Sequence, residues 1–243
     1  MVSGAFGRPY GGFASSRPPI RWGIPDVVIV WIGGIFVSVV WAAVALALTG
    51  GSADSAVVIG VSVAGQFGGW VAGCLLVASL KGRSGPEDLG LRVSPRDLWG
   101  IAAGVGVFVL ASIAIAPIVH LVGQSQAVVD ELKESSGAKL AVFAVTAALV
   151  APFAEELVFR GMLLRALQRR TTVVVAVVVQ ALAFALVHPL LSPTLGDLAV
   201  VPALFALGVV SGAVAARRRD ISASVFLHIG FNLVTVLLAL TGG

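Results

Sequence analysis

The chain has 243 residues, of which 58% are hydrophobic and only 12% are charged, and its mean hydropathy is +1.03. Soluble domains carry roughly 25% charged residues, so this chain lacks the polar side chains needed to cover a surface in water. A disordered chain, a collagen-like repeat and a disulfide-stapled domain are also excluded, because apolar residues dominate, the 29 glycines follow no triplet and Cys74 is the one cysteine. The composition therefore predicts an integral membrane protein.

The net charge of +4 does not indicate a nucleic-acid partner. The basic residues lie in short clusters between apolar runs, and they form no stripe with interleaved aromatic residues. We therefore predict that membrane lipid surrounds the protein and that no nucleic acid binds to it.

Residues 1–25 are rich in Gly, Pro and Ser and contain three arginines but no acid, which predicts a flexible cytoplasmic arm. Seven apolar stretches come after it, each near the roughly 20 residues that a helix needs to cross about 30 Å of hydrocarbon. They cover residues 27–48, 56–80, 98–121, 139–164, 173–188, 198–216 and 221–240. Because lipid offers the backbone no hydrogen bonds, each stretch is expected to be a helix.

The predicted fold is thus an all-α membrane helix bundle with about seven transmembrane helices. We divide it into the arm at residues 1–25, a first group of three spans at residues 26–137, and a catalytic domain at residues 138–243. Thirteen Lys and Arg residues fall in the loops on the side of the N-terminus and two in the loops on the other side. This bias predicts a cytoplasmic N-terminus, in a multi-pass protein of a bacterial or archaeal cell membrane.

Three charged residues lie inside one apolar span: Glu155, Glu156 and Arg160. A charge at membrane depth costs at least a few kcal/mol, so these residues are functional candidates. Helical geometry places Glu156 and Arg160 one turn apart, where they can pair, and Glu155 about 100° around the helix. The structural alternative is an ion-pair network that clamps helices together.

Two histidines also lie in spans, and each has a companion one helical turn away. Phe184 precedes His188 in the fifth span, and Asn232 follows His228 in the seventh. Together with Glu155 they suit amide hydrolysis, in which a carboxylate activates water, imidazoles orient that water or protonate the leaving amine, and a carboxamide stabilises an oxyanion. Two histidines and one carboxylate are also a common metal-binding set, which makes His188, His228 and Glu155 candidate ligands.

The segments EELVFR, FALVH and HIGFN resemble the three motifs of the CAAX protease and bacteriocin-processing family of intramembrane proteases, also called CPBP or Abi. The motifs occur in the family's order, each on a separate predicted helix. The resemblance implies a membrane endopeptidase related to the enzymes that remove the C-terminal tripeptide of prenylated proteins. Its substrate would be a protein or peptide, lipidated or not.

The resemblance also implies roles for individual residues. Glu155 would be the base that activates water, His188 and His228 would complete the site, and Asn232 would help to stabilise the oxyanion. Other motif residues would shape this site, and the whole carried-over set comprises Glu155, Glu156, Arg160, His188, His228 and Asn232, with Phe184 beside them. The family is customarily called metalloprotease although a metal-free glutamate mechanism is also argued, so one divalent metal such as zinc and no metal both stay open.

Two other functions stay open at this point: a non-catalytic scaffold or bacteriocin-immunity protein on the same fold, and a proton-coupled transporter. A geometric condition also applies, because His188 lies about 25 Å along its span at 1.5 Å per residue. It meets Glu155 only if the helices are offset. We predict that residues 165–170 continue the fourth span as a helix beyond the lipid, and that Pro152 offers a place for a kink.

Overall fold

The computed structural model describes residues 20–122, 127–191 and 198–241, so most of the predicted arm, residues 1–19, lies outside the described residues. Within these ranges the regular secondary structure is helical, without a strand. The helices are α1 (Ile24–Thr49), α2 (Ala56–Lys81), α3 (Trp99–Val122), α4 (Ala127–Glu134), α5 (Gly137–Gln168), α6 (Val173–Leu191), α7 (Val201–Arg218) and α8 (Ser222–Thr241).

Seven of these helices are long and apolar enough to span a membrane, namely all except the short α4. Their outer surfaces carry large apolar side chains, such as Leu48, Leu110 and Leu121, which are 81%, 70% and 86% exposed. Exposing such a surface to water is unfavourable, whereas lipid tails are themselves apolar and solvate these side chains. The predicted all-α, multi-spanning architecture is confirmed.

Small residues bring the helices into close contact in pairs. In the α1–α2 hairpin, the Trp70 indole lies over Gly34 and donates a hydrogen bond to the Trp31 carbonyl at 2.8 Å. In the α3–α8 pair, a Cβ added at Gly104 would overlap the carbonyl oxygen of Leu227. Direct backbone approach of this kind is how helices associate in lipid, where apolar burial contributes little.

Helix α5 lies at the centre of the bundle and carries the charged motif. Its 32 residues span about 48 Å at 1.5 Å per residue, which exceeds the hydrocarbon thickness of about 30 Å. The predicted helical continuation of the fourth span is confirmed as far as Gln168, and Arg169 and Arg170 form the turn after it. That this extension lies beyond the lipid stays a prediction. Two stretches of α5 are π-helical, Thr146–Val150 and Leu157–Leu163.

The basic clusters meet at one end of the bundle. There Arg169 donates to the Trp22 carbonyl at 2.8 Å, the Arg92 backbone N–H donates to Ser222 Oγ at 2.8 Å, and Arg218 pairs with the buried Asp97 at 2.5 Å. At the other end, Lys139 bridges carboxylates of the α1–α2 loop and of α4. The arginine-rich loops thus lie together at one end of the bundle, as the sequence predicts. The assignment of this end to the cytoplasm stays a prediction.

Candidate functional site in the bundle core

The two glutamates occupy the α-helical segment of α5, Ala151–Glu156, which lies between the two π-helical stretches. Glu156 and Arg160 are fully buried, and Arg160 Nη1 lies 3.0 Å from Glu156 Oε1. This is the pair that helical spacing predicts. Because a buried carboxylate and guanidinium each need a partner of opposite charge, the pair neutralises itself and Glu155 is left with other partners.

His228 lies between the two carboxylates. Its Nδ1 is 3.2 Å from Glu156 Oε1, and its Nε2 is 3.7 Å from Glu155 Oε2. The Glu156 carboxylate is the ion-pair partner of Arg160, and a carboxylate can only accept, so Nδ1 of His228 carries the hydrogen that it donates to Glu156. In the neutral imidazole, Nε2 then presents a lone pair towards Glu155.

Glu155 is the more accessible of the two carboxylates, with a side chain 14% exposed. The 3.7 Å that separates its Oε2 from His228 Nε2 is too long for a direct hydrogen bond. The gap has the width that a water molecule needs to donate one hydrogen to each atom. The arrangement can therefore hold and polarise a water beside a carboxylate base.

Phe184 on α6 brings the second histidine to the same place. Its ring is fully buried, contacts His188 edge-on with ring centroids 4.9 Å apart, and contacts His228 in the same way at 5.4 Å. The Arg160 guanidinium lies over the ring, with Cζ 4.5 Å from its centroid, a geometry in which cation and ring attract each other. One aromatic ring thus links the three motifs.

The orientation of His188 is fixed by the backbone of its own helix. Its Nδ1 lies 2.7 Å from the carbonyl oxygen of Phe184, one turn earlier. Since a carbonyl oxygen only accepts, Nδ1 carries the hydrogen and the neutral ring keeps Nε2 as its acceptor. His188 and His228 therefore have the same tautomer, each with Nε2 unprotonated.

Asn232 makes a contact that the motif pattern does not predict. Its Nδ2 donates a hydrogen bond of 2.8 Å to the carbonyl oxygen of Ala147, in the first π-helical stretch of α5. Helical spacing alone predicts only that Asn232 lies on the same face as His228. The one signal for the contact is Pro152, whose missing N–H disturbs the helix in this region.

A metal ion would need several ligands at one point. Both imidazoles donate Nδ1–H to an oxygen and leave Nε2 free, as metal-bound histidines commonly do. Over residues 20–122, 127–191 and 198–241, however, no three His, Cys, Asp or Glu side chains lie together as ligands of one ion. The described side chains do not fit a three-ligand zinc site, so no chemical step is assigned to a metal.

Comparison with known proteins supports the family resemblance. Residues 137–234 match the family model described as type II CAAX prenyl endopeptidase Rce1-like. No curated protein and no solved structure matches the chain. The matched range begins with α5 and includes all seven motif residues, from Glu155 to Asn232. Over residues 137–234, the chain is similar to the Rce1-like family of type II CAAX prenyl endopeptidases.

Proposed function

We propose that the protein is an intramembrane endopeptidase that hydrolyses a peptide bond with a water activated by Glu155. The observation that carries this proposal is the gap between Glu155 Oε2 and His228 Nε2, 3.7 Å wide and bordered by a side chain that is partly accessible. The Rce1-like match supports the reaction class, because it covers the helices that supply these atoms.

In the proposed reaction, Glu155 removes a proton from the water, and the water oxygen attacks the carbonyl carbon of the scissile bond. A C–O bond forms, and the electron pair of the carbonyl moves to its oxygen. When the tetrahedral intermediate collapses, the C–N bond breaks and the proton passes from Glu155 to the leaving nitrogen. The carboxylate is regenerated, so the cycle consumes one water for each bond.

The other motif residues support this step. Glu156 accepts from Nδ1 of His228 and so holds Nε2 towards the water, while Arg160 is the oppositely charged partner of Glu156 in the bundle core. His188 contributes a second Nε2 acceptor across the Phe184 ring. The oxyanion role that the resemblance implies for Asn232 stays a prediction, since one of its two amide hydrogens already lies on the Ala147 carbonyl.

We further propose that the substrate is a protein or peptide, lipidated or not, which reaches the site from the lipid or from the basic end of the bundle. The basic end is assigned to the cytoplasm of a bacterial or archaeal cell by the positive-inside rule. A prenylated substrate is the specific form that the family description suggests.

Cleavage by the purified protein in detergent tests the proposal. We expect Glu155→Gln and His228→Ala to abolish cleavage of fluorogenic peptides, prenylated and unprenylated, because the first variant lacks the base and the second lacks the Nε2 acceptor that orients the water. Glu134→Gln on α4 and His120→Gln on α3 are the matched controls, since both side chains are exposed and far along the chain from the motifs. Normal cleavage by both site variants would contradict the proposal, and no cleavage by the wild type would contradict it in favour of a scaffold or a transporter.

The same preparation decides the question of a metal. Elemental analysis and chelator treatment are applied to the wild type and to His188→Ala. Full activity without bound metal supports glutamate-activated water alone. Zinc bound one-to-one to the wild type and absent from His188→Ala would show instead that a metal ion brings His188, His228 and Glu155 together as its ligands.

A further inference from the structure

The first π-helical stretch of α5 contains a carbonyl group that its own helix cannot satisfy. The Ala151 N–H donates to the Thr146 carbonyl, five residues back instead of four. In this register the next residue lies opposite the Ala147 carbonyl, and that residue is Pro152, which has no N–H. The Ala147 oxygen is therefore left without a backbone donor inside the membrane, where such a group costs several kcal/mol.

Asn232 supplies the missing donor from another helix. Its Nδ2 lies 2.8 Å from the Ala147 oxygen, across 85 positions of sequence. Asn232 is the single asparagine of the chain, and it lies one turn after His228 on α8. The residue that completes the backbone of α5 is thus attached to the helix face that carries the catalytic imidazole.

The register of this stretch decides where Glu155 points. A π-helical turn contains one residue more than an α-helical turn, and each added residue rotates the downstream part of the helix by about 100° and moves it by about 1.5 Å. Glu155 lies five residues after the end of the stretch at Val150. If α5 returned to a regular α-helix, the Glu155 carboxylate would leave His228 Nε2.

We propose that Asn232 is a positioning residue, which caps the Ala147 carbonyl that Pro152 leaves unpaired and thereby holds Glu155 in register with His228. The inference rests on the proposed function for its catalytic consequence and differs from a direct oxyanion role. It predicts an energetic coupling between Asn232 and Pro152, two residues that the reaction itself does not bring together.

A double-mutant cycle tests the coupling. Asn232→Leu removes the donor at similar volume, and we expect cleavage to fall about 100-fold, as a displacement of the base by about 1 Å would cause. Pro152→Ala restores a backbone N–H opposite Ala147. In the double variant Asn232→Leu/Pro152→Ala we therefore expect a recovery of about tenfold over Asn232→Leu, the value of one regained hydrogen bond.

The matched control is Pro117→Ala, which restores an N–H inside another transmembrane helix, α3. It is expected to give no recovery in the Asn232→Leu background. If Asn232 acts on the oxyanion alone, a backbone N–H at position 152 cannot replace it, and the double variant stays as slow as Asn232→Leu. That result would overturn the positioning role.

A second measurement keeps the test independent of catalysis. The unfolding temperature in detergent is recorded for the same four proteins of the cycle. We expect Pro152→Ala to raise the unfolding temperature of Asn232→Leu by more than it raises that of the wild type. Additive shifts overturn the proposal, whereas a coupled cycle in a protein that cleaves no peptide would contradict the proposed function and leave the capping contact standing.

Discussion

At the scale of single residues, Glu156, Arg160 and His228 form a small network of charged and titratable groups in the bundle core. Glu156, Arg160 and His228 are buried, and each is in contact with another member of the set. Desolvation makes a buried pair a weak source of net stability, but the loss of one partner leaves an uncompensated charge and is strongly destabilising. The network therefore orients His228 and makes the protein sensitive to any change that leaves one charge alone.

Replacement of Arg160 is expected to test this sensitivity. Arg160→Met leaves the Glu156 carboxylate buried and unpaired, so we expect a loss of about 3 kcal/mol in the free energy of unfolding. The double variant Arg160→Met/Glu156→Gln should lose less, because it buries no charge. Denaturation in detergent measures both, with Arg217→Met as the control at an exposed arginine. A double variant less stable than Arg160→Met would contradict this account.

The sequence predicts contacts among these residues only where helical spacing decides them. The pair Glu156 and Arg160 follows from a spacing of four residues. The contact of Asn232 with Ala147 joins two distant helices and depends on a π-helical register, which local sequence encodes only through Pro152. The division of Glu155 and Glu156 into an accessible and a buried carboxylate likewise depends on how α8 packs, and no motif specifies it.

At the scale of helices, glycine decides how closely α3 approaches the helix that carries His228. A Cβ at Gly104 would overlap the Leu227 carbonyl, whereas a Cβ at Gly106, about half a turn further along, would meet nothing within 4 Å. The two positions lie on one helix and differ in their neighbours. They offer a matched pair for testing how strictly α8 must be placed.

We expect Gly104→Ala to push α8 away from α3 and to lower the cleavage rate about tenfold or more, since small displacements of a catalytic group are costly. Gly106→Ala should keep the wild-type rate, because its methyl group points to open space. Initial rates measured beside circular dichroism separate misplacement from unfolding. Equal rates in the two variants would show that the α3–α8 distance does not control the site.

Helix boundaries were less predictable than helix number. Long apolar runs specify a span, so seven spans were expected and seven were found among the described residues. Helix α4 was not predicted, because its mixed polar sequence has no apolar run; Leu132 nevertheless packs in a small core with Val236 of α8. The extension of α5 to Gln168 was expected on geometric grounds, since offset helices were needed to bring the histidines to the glutamates.

At the scale of the whole molecule, the two ends of the bundle differ in charge, and this difference predicts how the protein is oriented in the membrane. The basic end gathers the arginines that follow α5 and α7, together with those before α3, while the opposite end holds Lys139 between acidic partners. In a cell membrane, positive charge retains loops on the cytoplasmic side. The predicted orientation rests on this asymmetry rather than on any single loop.

Cysteine labelling in intact cells tests the orientation. The native Cys74 is buried and is first replaced by serine. Single cysteines are then introduced as Glu87→Cys at the basic end and Ser52→Cys at the other, both at exposed positions. We expect a membrane-impermeant maleimide to label the Ser52→Cys variant alone. Labelling of Glu87→Cys instead would reverse the assignment.

The ring of Phe184 has a consequence for how such a protein can change over generations. His188, His228 and Arg160 all contact this one side chain. A substitution at any of the three alters the space and the charge around the ring, and so alters the setting of the other two. Substitutions at these three positions, which are distant in the sequence, are therefore coupled through Phe184. A substitution of Phe184 itself would disturb all three side chains at once.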